Sequence, residues 1–395
     1  MSIQFKLARL PRIEFGPGAL ALIPALVAQY GPRALIVTGA RSFLDTAHWP
    51  ALQTRLAERG IDWALIQVMG EPAPEFIDTT VAGLRLESFD CVLGIGGGSA
   101  LDAAKAIAGL LRTGNSVMDH LEGVGPELPY LGPGTPFIAV PTTAGTGSEA
   151  TKNAVLSHQG ENGFKKSFRD DKLVAEYAVI DPDLLASCPT EVIAANGMDA
   201  LTQLLESYVS SKSNPFTDAL ALSGLVHVRD ALVPWFGGCG DNAEHRAAMA
   251  YAALLSGITL AQVGLGAVHG LAAPLGAFFP IPHGVVCGTL LASATRMNLA
   301  ALTSREPTHP ALQKYAEVGR LLFGSAQQPQ EAALGALLGG LEDWTKRLGL
   351  PRLGTFGVRE ADIGRIVANS RGSSMKTNPI ILTDAEIAGI VRDRL

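Results

Sequence analysis

Charge is scarce in this chain. Asp, Glu, Lys and Arg make up 17% of its 395 residues, against roughly a quarter in an average globular protein. Much of its surface must therefore be buried, within the chain or between subunits. Lys and Arg number 31 and Asp and Glu 37, giving a net charge of −6 with no basic block. That excludes nucleic acid as an expected partner. Cysteine is sparse too. Cys91, Cys188, Cys239 and Cys287 form no CxxC, and their spacing fits neither a zinc ribbon nor a disulfide framework. They read as ordinary buried thiols of a reducing compartment. The N-terminus, MSIQFKLARLPRIEFG, lacks the apolar core of a signal peptide, so a cytoplasmic, soluble protein is expected.

The longest absence is internal. Between Arg246 and Arg296 there is no Asp, Glu, Lys or Arg. A membrane-spanning helix needs about 20 predominantly apolar residues, but this stretch carries Gln262, His269, His283, Pro274, Pro280, Pro282 and many glycines. It reads as buried helix, loop and helix inside a globular domain, with no membrane partner. A neutral region holding two histidines is a place to look for a site.

What is present is a large apolar content, 47% of residues, enough for a sizeable core. The first half alternates β-rich runs (34–38, 63–68, 91–95 and 137–140) with helical patterns (52–59, 101–111). Strands alternating with helices imply βαβ units and a mainly parallel sheet. Runs apolar at every position suit strands covered on both faces. The polar segment 157–168 reads as a hairpin turn or surface loop. Beyond Asp181-Pro182, long Ala/Leu-rich segments (191–210, 218–232, 244–264, 308–322, 331–348) describe a helical domain.

Two glycine-bearing loops follow strands. In Gly94-Ile95-Gly96-Gly97-Gly98-Ser99, backbone N–H groups without Cβ bulk at a helix N-terminus suit a pyrophosphate. The same run also reads as a plain tight strand–helix turn. Asp102 stands on the first turns of the following helix, either accepting from a loop N–H or a ribose hydroxyl or simply favouring the helix dipole. The second loop, 141–149, offers Thr142, Thr143, Thr146 and Ser148 among glycines. Its hydroxyls suit phosphate, ribose or carboxamide contacts, or the loop ends in a helix cap at Ser148. At the ends of sequential strands, the pair would sit together on the carboxyl edge of a sheet, where nucleotides bind.

A helix opening near Gly197-Met198-Asp199 places Asp199 and Gln203 on one face, with Glu206 roughly on the same side. An acid and the imidazoles of His269 and His283, brought from separate helices, could converge on a divalent metal. Read singly, each histidine is equally a hydrogen-bonded core residue and Asp199 a helix N-terminal acid. The other six histidines, His48, His120, His158, His227, His245 and His309, read as surface or structural.

GGGSALDAAKAIA (96–108), PTTAGTGSEAT (141–151), IDP (180–182), GMDAL (197–201) and the VHG…PHG pair (268–284) occur in this order. With IEFGPGAL (13–20) and NPIILTDAEI (378–387), they resemble the iron-containing (group III) alcohol dehydrogenases of the dehydroquinate synthase-like superfamily. The resemblance spans nearly the whole chain. It implies an α/β dinucleotide-binding domain with a mainly parallel sheet (1–185) and an all-α domain carrying metal and substrate (186–395). NAD or NADP would lie in the cleft between them, with a divalent metal, Fe2+ or Zn2+, below the nicotinamide. The metal positions carry over to Asp199, Gln203, His269 and His283. The cofactor positions carry over to Gly96, Gly97, Gly98 and Ser99, and to Thr142, Thr143 and Thr146. The activity implied is NAD(P)-linked oxidation of an alcohol or reduction of an aldehyde or ketone, with hydride passing between nicotinamide C4 and the substrate at the metal. Asp199, His269 and His283 would carry it, and the protein would work as a homodimer or larger homo-oligomer.

Three positions depart from, or bear on, that pattern. Gln203 stands where the family has a histidine, and a Gln oxygen binds iron more weakly than imidazole does. Three ligands and water would still suit zinc. Ala273 stands where many alcohol-active members have a second histidine. Gly39, after the first strand, replaces the acid of many NAD-preferring members, and Arg41 or Ser42 could contact a 2′-phosphate; this admits NADP, while Arg41 reads equally as solvated surface. Two further chemistries belong to the same superfamily. One is metal-independent reduction of a keto acid, as in maleylacetate reductases. The other is a dehydroquinate-synthase-like lyase, which would need a base-rich pocket.

Overall fold

The computed structural model describes residues 4–238 and 243–395. Cys239 lies outside the described residues. The chain divides into two compact units. One comprises Leu7–His158 and Lys165–Cys188; the other comprises residues 4–6, Gln159–Phe164 and Pro189–Leu395.

The first unit is built on strands β1 (Arg12–Phe15), β2 (Arg33–Gly39), β3 (Asp62–Val68), β4 (Cys91–Gly96), β5 (Phe137–Pro141) and β8 (Tyr177–Ile180). They form a six-stranded sheet in the order β1-β8-β5-β4-β2-β3, and every pairing is parallel. β4 and β5 are buried at every position, as runs apolar on consecutive residues require when both faces are covered. The connecting helices are α1 (Ile23–Val27), α2 (His48–Glu58), α3 (Pro74–Gly83) and α4 (Gly98–Leu110). β6 (Asn153–His158) and β7 (Phe164–Arg169) pair as a separate two-stranded ribbon, so much of the polar 157–168 segment is strand and only its middle is turn. The chain runs from β2 out to β3 and returns to β4 on the other side of β2. That reversal makes the carboxyl ends of β2 and β4 a topological switch point, where α/β sheets bind ligands.

The second unit is helical: α5 (Thr190–Val209), α6 (Pro215–Phe236), α7 (Ala243–Val263), α8 (Ala267–Phe278), α9 (His283–Arg305), α10 (Pro310–Phe323), α11 (Gln330–Arg347), α12 (Ile363–Ala368) and α13 (Asp384–Arg392). α5 is buried almost all round from Ile193 to its end and packs against α6, α7 and α9, the behaviour of a helix apolar on every face. α6 starts in a capping box, with Asn214 accepting from the Phe216 and Thr217 amides and Thr217 accepting from the Asn214 amide. α7 and α9 are long and apolar enough to cross a membrane by length and composition, but most of their residues are buried inside this unit. The neutral stretch is thus most of α7, all of α8, a short turn and the first half of α9, with Pro274 inside α8.

Candidate active site

Two expectations about local structure are corrected. Gly197 does not open a helix: α5 begins at Thr190, after Pro189. A Cβ on Gly197 would lie 2.2 Å from Leu232 Cδ1, so the glycine allows α6 to approach closely. Asp199 is consequently an interior helix residue with 0% exposure, far from the N-terminal turn where a dipole would explain it. Ser148 does not cap a helix either. Gly147, at φ 61°, precedes a short 3-10 turn over Ser148–Ala150, and the Ser148 hydroxyl donates to Asp102 Oδ1 at 2.5 Å.

In the α/β unit, the two glycine loops meet. The Thr142 amide donates to the Gly96 carbonyl at 3.0 Å. A Cβ on Gly97 would fall 3.4 Å from Thr143, and one on Gly98 2.7 Å from Thr146 Cγ2. A Cβ on Gly96 would lie 2.6 Å from Ala100 Cβ and 3.3 Å from the Gly39 nitrogen. The ends of β2, β4 and β5 are therefore packed into one glycine-lined surface. The first-turn N–H groups of α4, around Gly98 and Ser99, have no acceptor within the helix. Asp102 is already occupied: it accepts from Ser148 Oγ and from the Val155 amide at 3.2 Å. Lys105 beside it is fully buried and bonds to Ser148, Thr151 and the Asn153 carbonyl. Together they fasten the second loop to α4. Burial draws the Lys105 pKa down to about 8 against Asp102 and Glu149, and pushes Glu149 up to about 7. Arg41 points to the surface and pairs with Asp45 at 3.1 Å.

In the helical unit, Asp199 on α5, His269 on α8 and His283 at the start of α9 come together. Asp199 Oδ1 lies 3.3 Å from His269 Nε2 and 3.8 Å from His283 Nε2, and neither carboxylate oxygen makes a hydrogen bond. Burial works to raise the Asp199 carboxyl, but His283 and His269 outweigh it and hold it below its ordinary range. His269 Nδ1 is 2.7 Å from Glu206 Oε2, while Glu206 Oε1 accepts the Val268 amide at 2.7 Å. Burial opposes a charged His269, but the Cys287 sulfur and the Asp199 and Glu206 carboxylates carry its pKa well above the ordinary value. Burial also pushes the Cys287 thiol up to about 12, so at neutral pH the carboxylates supply that pull. The start of α8 is held from the C-terminal segment, where Asn378 Oδ1 accepts the Ala267 amide and Thr377 Oγ1 donates to the Leu265 carbonyl.

Gln203, one turn after Asp199, has its Oε1 accepting from Ser256 Oγ at 2.6 Å. Cys287, expected as an ordinary buried thiol, stands in the same cluster. Its Sγ lies 3.6 Å from His269 Nε2 and 3.7 Å from His283 Nε2. It follows His283 by one helical turn, the same spacing that drew attention to Asp199 and Gln203. A fully buried carboxylate with both oxygens outside any hydrogen bond is costly unless a cation completes it. Asp199, His269, His283 and Cys287 each offer one donor atom, all within 4.8 Å of one another. This donor set fits a divalent transition metal.

By geometry alone this is a parallel α/β unit with glycine-lined strand ends, followed by a helical unit enclosing a carboxylate–imidazole cluster, the class of a nucleotide- and metal-using enzyme. The iron-containing alcohol dehydrogenase model matches residues 11–182 and the model of that family's C-terminal part matches 193–395; the chain belongs to the iron-containing alcohol dehydrogenase family. It is 31% identical to the NAD-dependent methanol dehydrogenase of Bacillus methanolicus over 98% of each chain. The crystal structure of a 1,3-propanediol oxidoreductase superposes with a TM-score of 0.89 at 28% identity, covering 99% of this chain and 100% of that one. Sulfoacetaldehyde reductase from Bifidobacterium kashiwanohense, solved in complex with NAD+, superposes with a TM-score of 0.83 at 26% identity, covering 100% of this chain and 99% of that one.

Proposed function

We propose that this chain is a metal-dependent, NAD(P)-linked alcohol dehydrogenase, oxidising a small alcohol or, in reverse, reducing an aldehyde or ketone. The observation that carries the reading is the buried Asp199 carboxylate, outside any hydrogen bond and facing the Nε2 atoms of His269 and His283. When bound, the nicotinamide carries hydride at C4 and the divalent ion supplies Lewis acidity. The chain's own contribution is placement. The N–H groups of Gly97, Gly98 and Ser99 at the α4 N-terminus hold the pyrophosphate, and Gly96 keeps that turn tight. Thr142, Thr143 and Thr146 flank it, and Gly39 leaves the ribose 2′ position open. Asp199, His269 and His283 hold the ion, and Glu206 fixes the tautomer and direction of His269. Asp102 acts through Ser148 by holding the second loop. Ala273 offers no proton carrier one turn after His269.

The test is NAD(P)H absorbance with small alcohols, aldehydes and ketones, before and after chelation and after re-addition of zinc or iron. Loss on chelation and recovery on re-addition support the reading. Chelator-resistant reduction of a keto acid would favour the maleylacetate-type chemistry. Turnover with no net change in NAD(P)H would favour a lyase.

We further propose that the enzyme is cytoplasmic and at least a homodimer. β1 is an edge strand, and Ile13 and Phe15 on one of its faces are 40% and 42% exposed; such an edge favours pairing with another copy. A monomer in sedimentation velocity at working concentration would contradict the dimer.

A further inference from the structure

We propose that Cys287 is the fourth protein ligand of the metal, in the place the family gives to a histidine and this chain to Gln203, and that the centre is consequently a zinc-type site. The inference rests on the metal-dependent reading above and deepens it.

Near-tetrahedral zinc, with bonds of roughly 2.0–2.3 Å, sets neighbouring donor atoms roughly 3.3–3.8 Å apart, and expansion to five ligands would still admit a substrate oxygen. Four such separations are present. Asp199 Oδ1 is 3.3 Å from His269 Nε2 and 3.8 Å from His283 Nε2. Cys287 Sγ is 3.6 Å and 3.7 Å from the same two nitrogens. Three helices supply these atoms. His283 and Cys287 stand one turn apart on α9, so a single rigid face presents both imidazole and sulfur. Glu206 aims the His269 ring through Nδ1, leaving Nε2 turned to the cluster.

Gln203 is differently engaged. Its oxygen accepts from Ser256 on α7 at 2.6 Å, so ligation by Gln203 would give up a buried hydrogen bond and gain only a weak neutral donor. Cys287 gives up much less, because a thiol is a weak donor and acceptor. On metal binding its S–H bond is exchanged for a sulfur–metal bond and the proton passes to solvent. A thiolate beside two imidazoles suits zinc, whereas hard oxygen-rich sets suit magnesium or calcium.

Cobalt(II) substitution tests this without reference to turnover. Metal-stripped full-length protein is titrated anaerobically with Co2+ and read by absorbance, and zinc affinity is measured by chelator competition. The expected result is a near-ultraviolet thiolate-to-cobalt band that saturates with binding. The band is lost in Cys287→Ser, with zinc affinity reduced by more than the roughly 10- to 100-fold that loss of an outer partner costs. Gln203→Leu keeps the band and stays within about threefold of wild-type affinity, by the same scale. Should Cys287→Ser fail to fold by circular dichroism, the triple variant Cys91→Ser/Cys188→Ser/Cys239→Ser, in which Cys287 is the one thiol left, decides: the band persists there if Cys287 is the ligand, and its loss from a folded, cobalt-binding triple variant overturns the assignment. Cobalt binding without a thiolate band in the wild type would overturn the role of Cys287 and leave the metal-dependent reading standing. Failure to bind cobalt or zinc at all would overturn both.

Discussion

His269 Nδ1 stands 2.7 Å from Glu206 Oε2, and the other Glu206 oxygen takes the amide of the residue before that histidine. One carboxylate thus fixes both the ring and the backbone that carries it. This is the arrangement by which a histidine is held with its second nitrogen free for a metal. Glu206→Gln should retain the fold and lower zinc affinity by roughly 10- to 100-fold. Competition with a chromogenic chelator measures this, and unchanged affinity would remove Glu206 from the metal's support.

The contact between the two glycine loops makes a second, separable prediction. A side chain at Gly98 must displace Thr146, whose Cγ2 would lie 2.7 Å from the new Cβ. Gly98→Val should weaken NAD(H) binding by roughly tenfold or more, about 1.4 kcal/mol, while metal content stays at the wild-type level. Calorimetric titration with NAD(H), alongside elemental analysis, reads the two effects independently.

Gly39 has room for a side chain, since its nearest neighbour to an added Cβ is Ser42 Oγ at 3.9 Å. Gly39→Asp should fold normally and place a carboxylate beside the ribose 2′ position. Like-charge repulsion then lowers kcat/KM for NADP relative to NAD by roughly tenfold or more. An unchanged cofactor ratio would show that Gly39 does not face the ribose.

Glu149 is buried at 3% exposure, with its pKa pushed up to about 7 by burial. A carboxyl whose folded pKa is raised contributes stability below its unfolded pKa and loses it as pH rises through the folded value. Between about pH 4.5 and pH 7, wild-type stability should fall relative to Glu149→Gln, by on the order of 3 kcal/mol in total for a shift of this size. Urea unfolding of both proteins across that range checks it; parallel pH profiles would contradict the assigned burial effect.

The parts of the molecule legible in the sequence are those whose signal is local. β4 and β5 announce themselves as consecutive apolar positions because both faces are covered. The glycine loops stand out because close approach of backbone needs glycine, as at Gly96 and Gly98. Asp199, His269 and His283 could be named from the neutral stretch and the family motifs together. Gly197 misled because its constraint comes from Leu232 on another helix, which local pattern cannot register. Ser148 misled for a related reason: its hydroxyl answers Asp102, 46 positions away. Cys287 carried one local signal, its place one helical turn after His283, but its other partners, His269 and Asp199, come from α8 and α5 and meet it only in the folded chain. The hold of Asn378 on the start of α8 spans 111 positions and exists only once the chain has folded.

The most direct measurement is elemental analysis of protein purified anaerobically without chelator, wild type beside Asp199→Ala. The account predicts a stoichiometric divalent ion, zinc in preference to iron, in the wild type and its loss in Asp199→Ala. A wild-type protein that carries no metal, and takes up neither zinc nor iron on reconstitution, would contradict it.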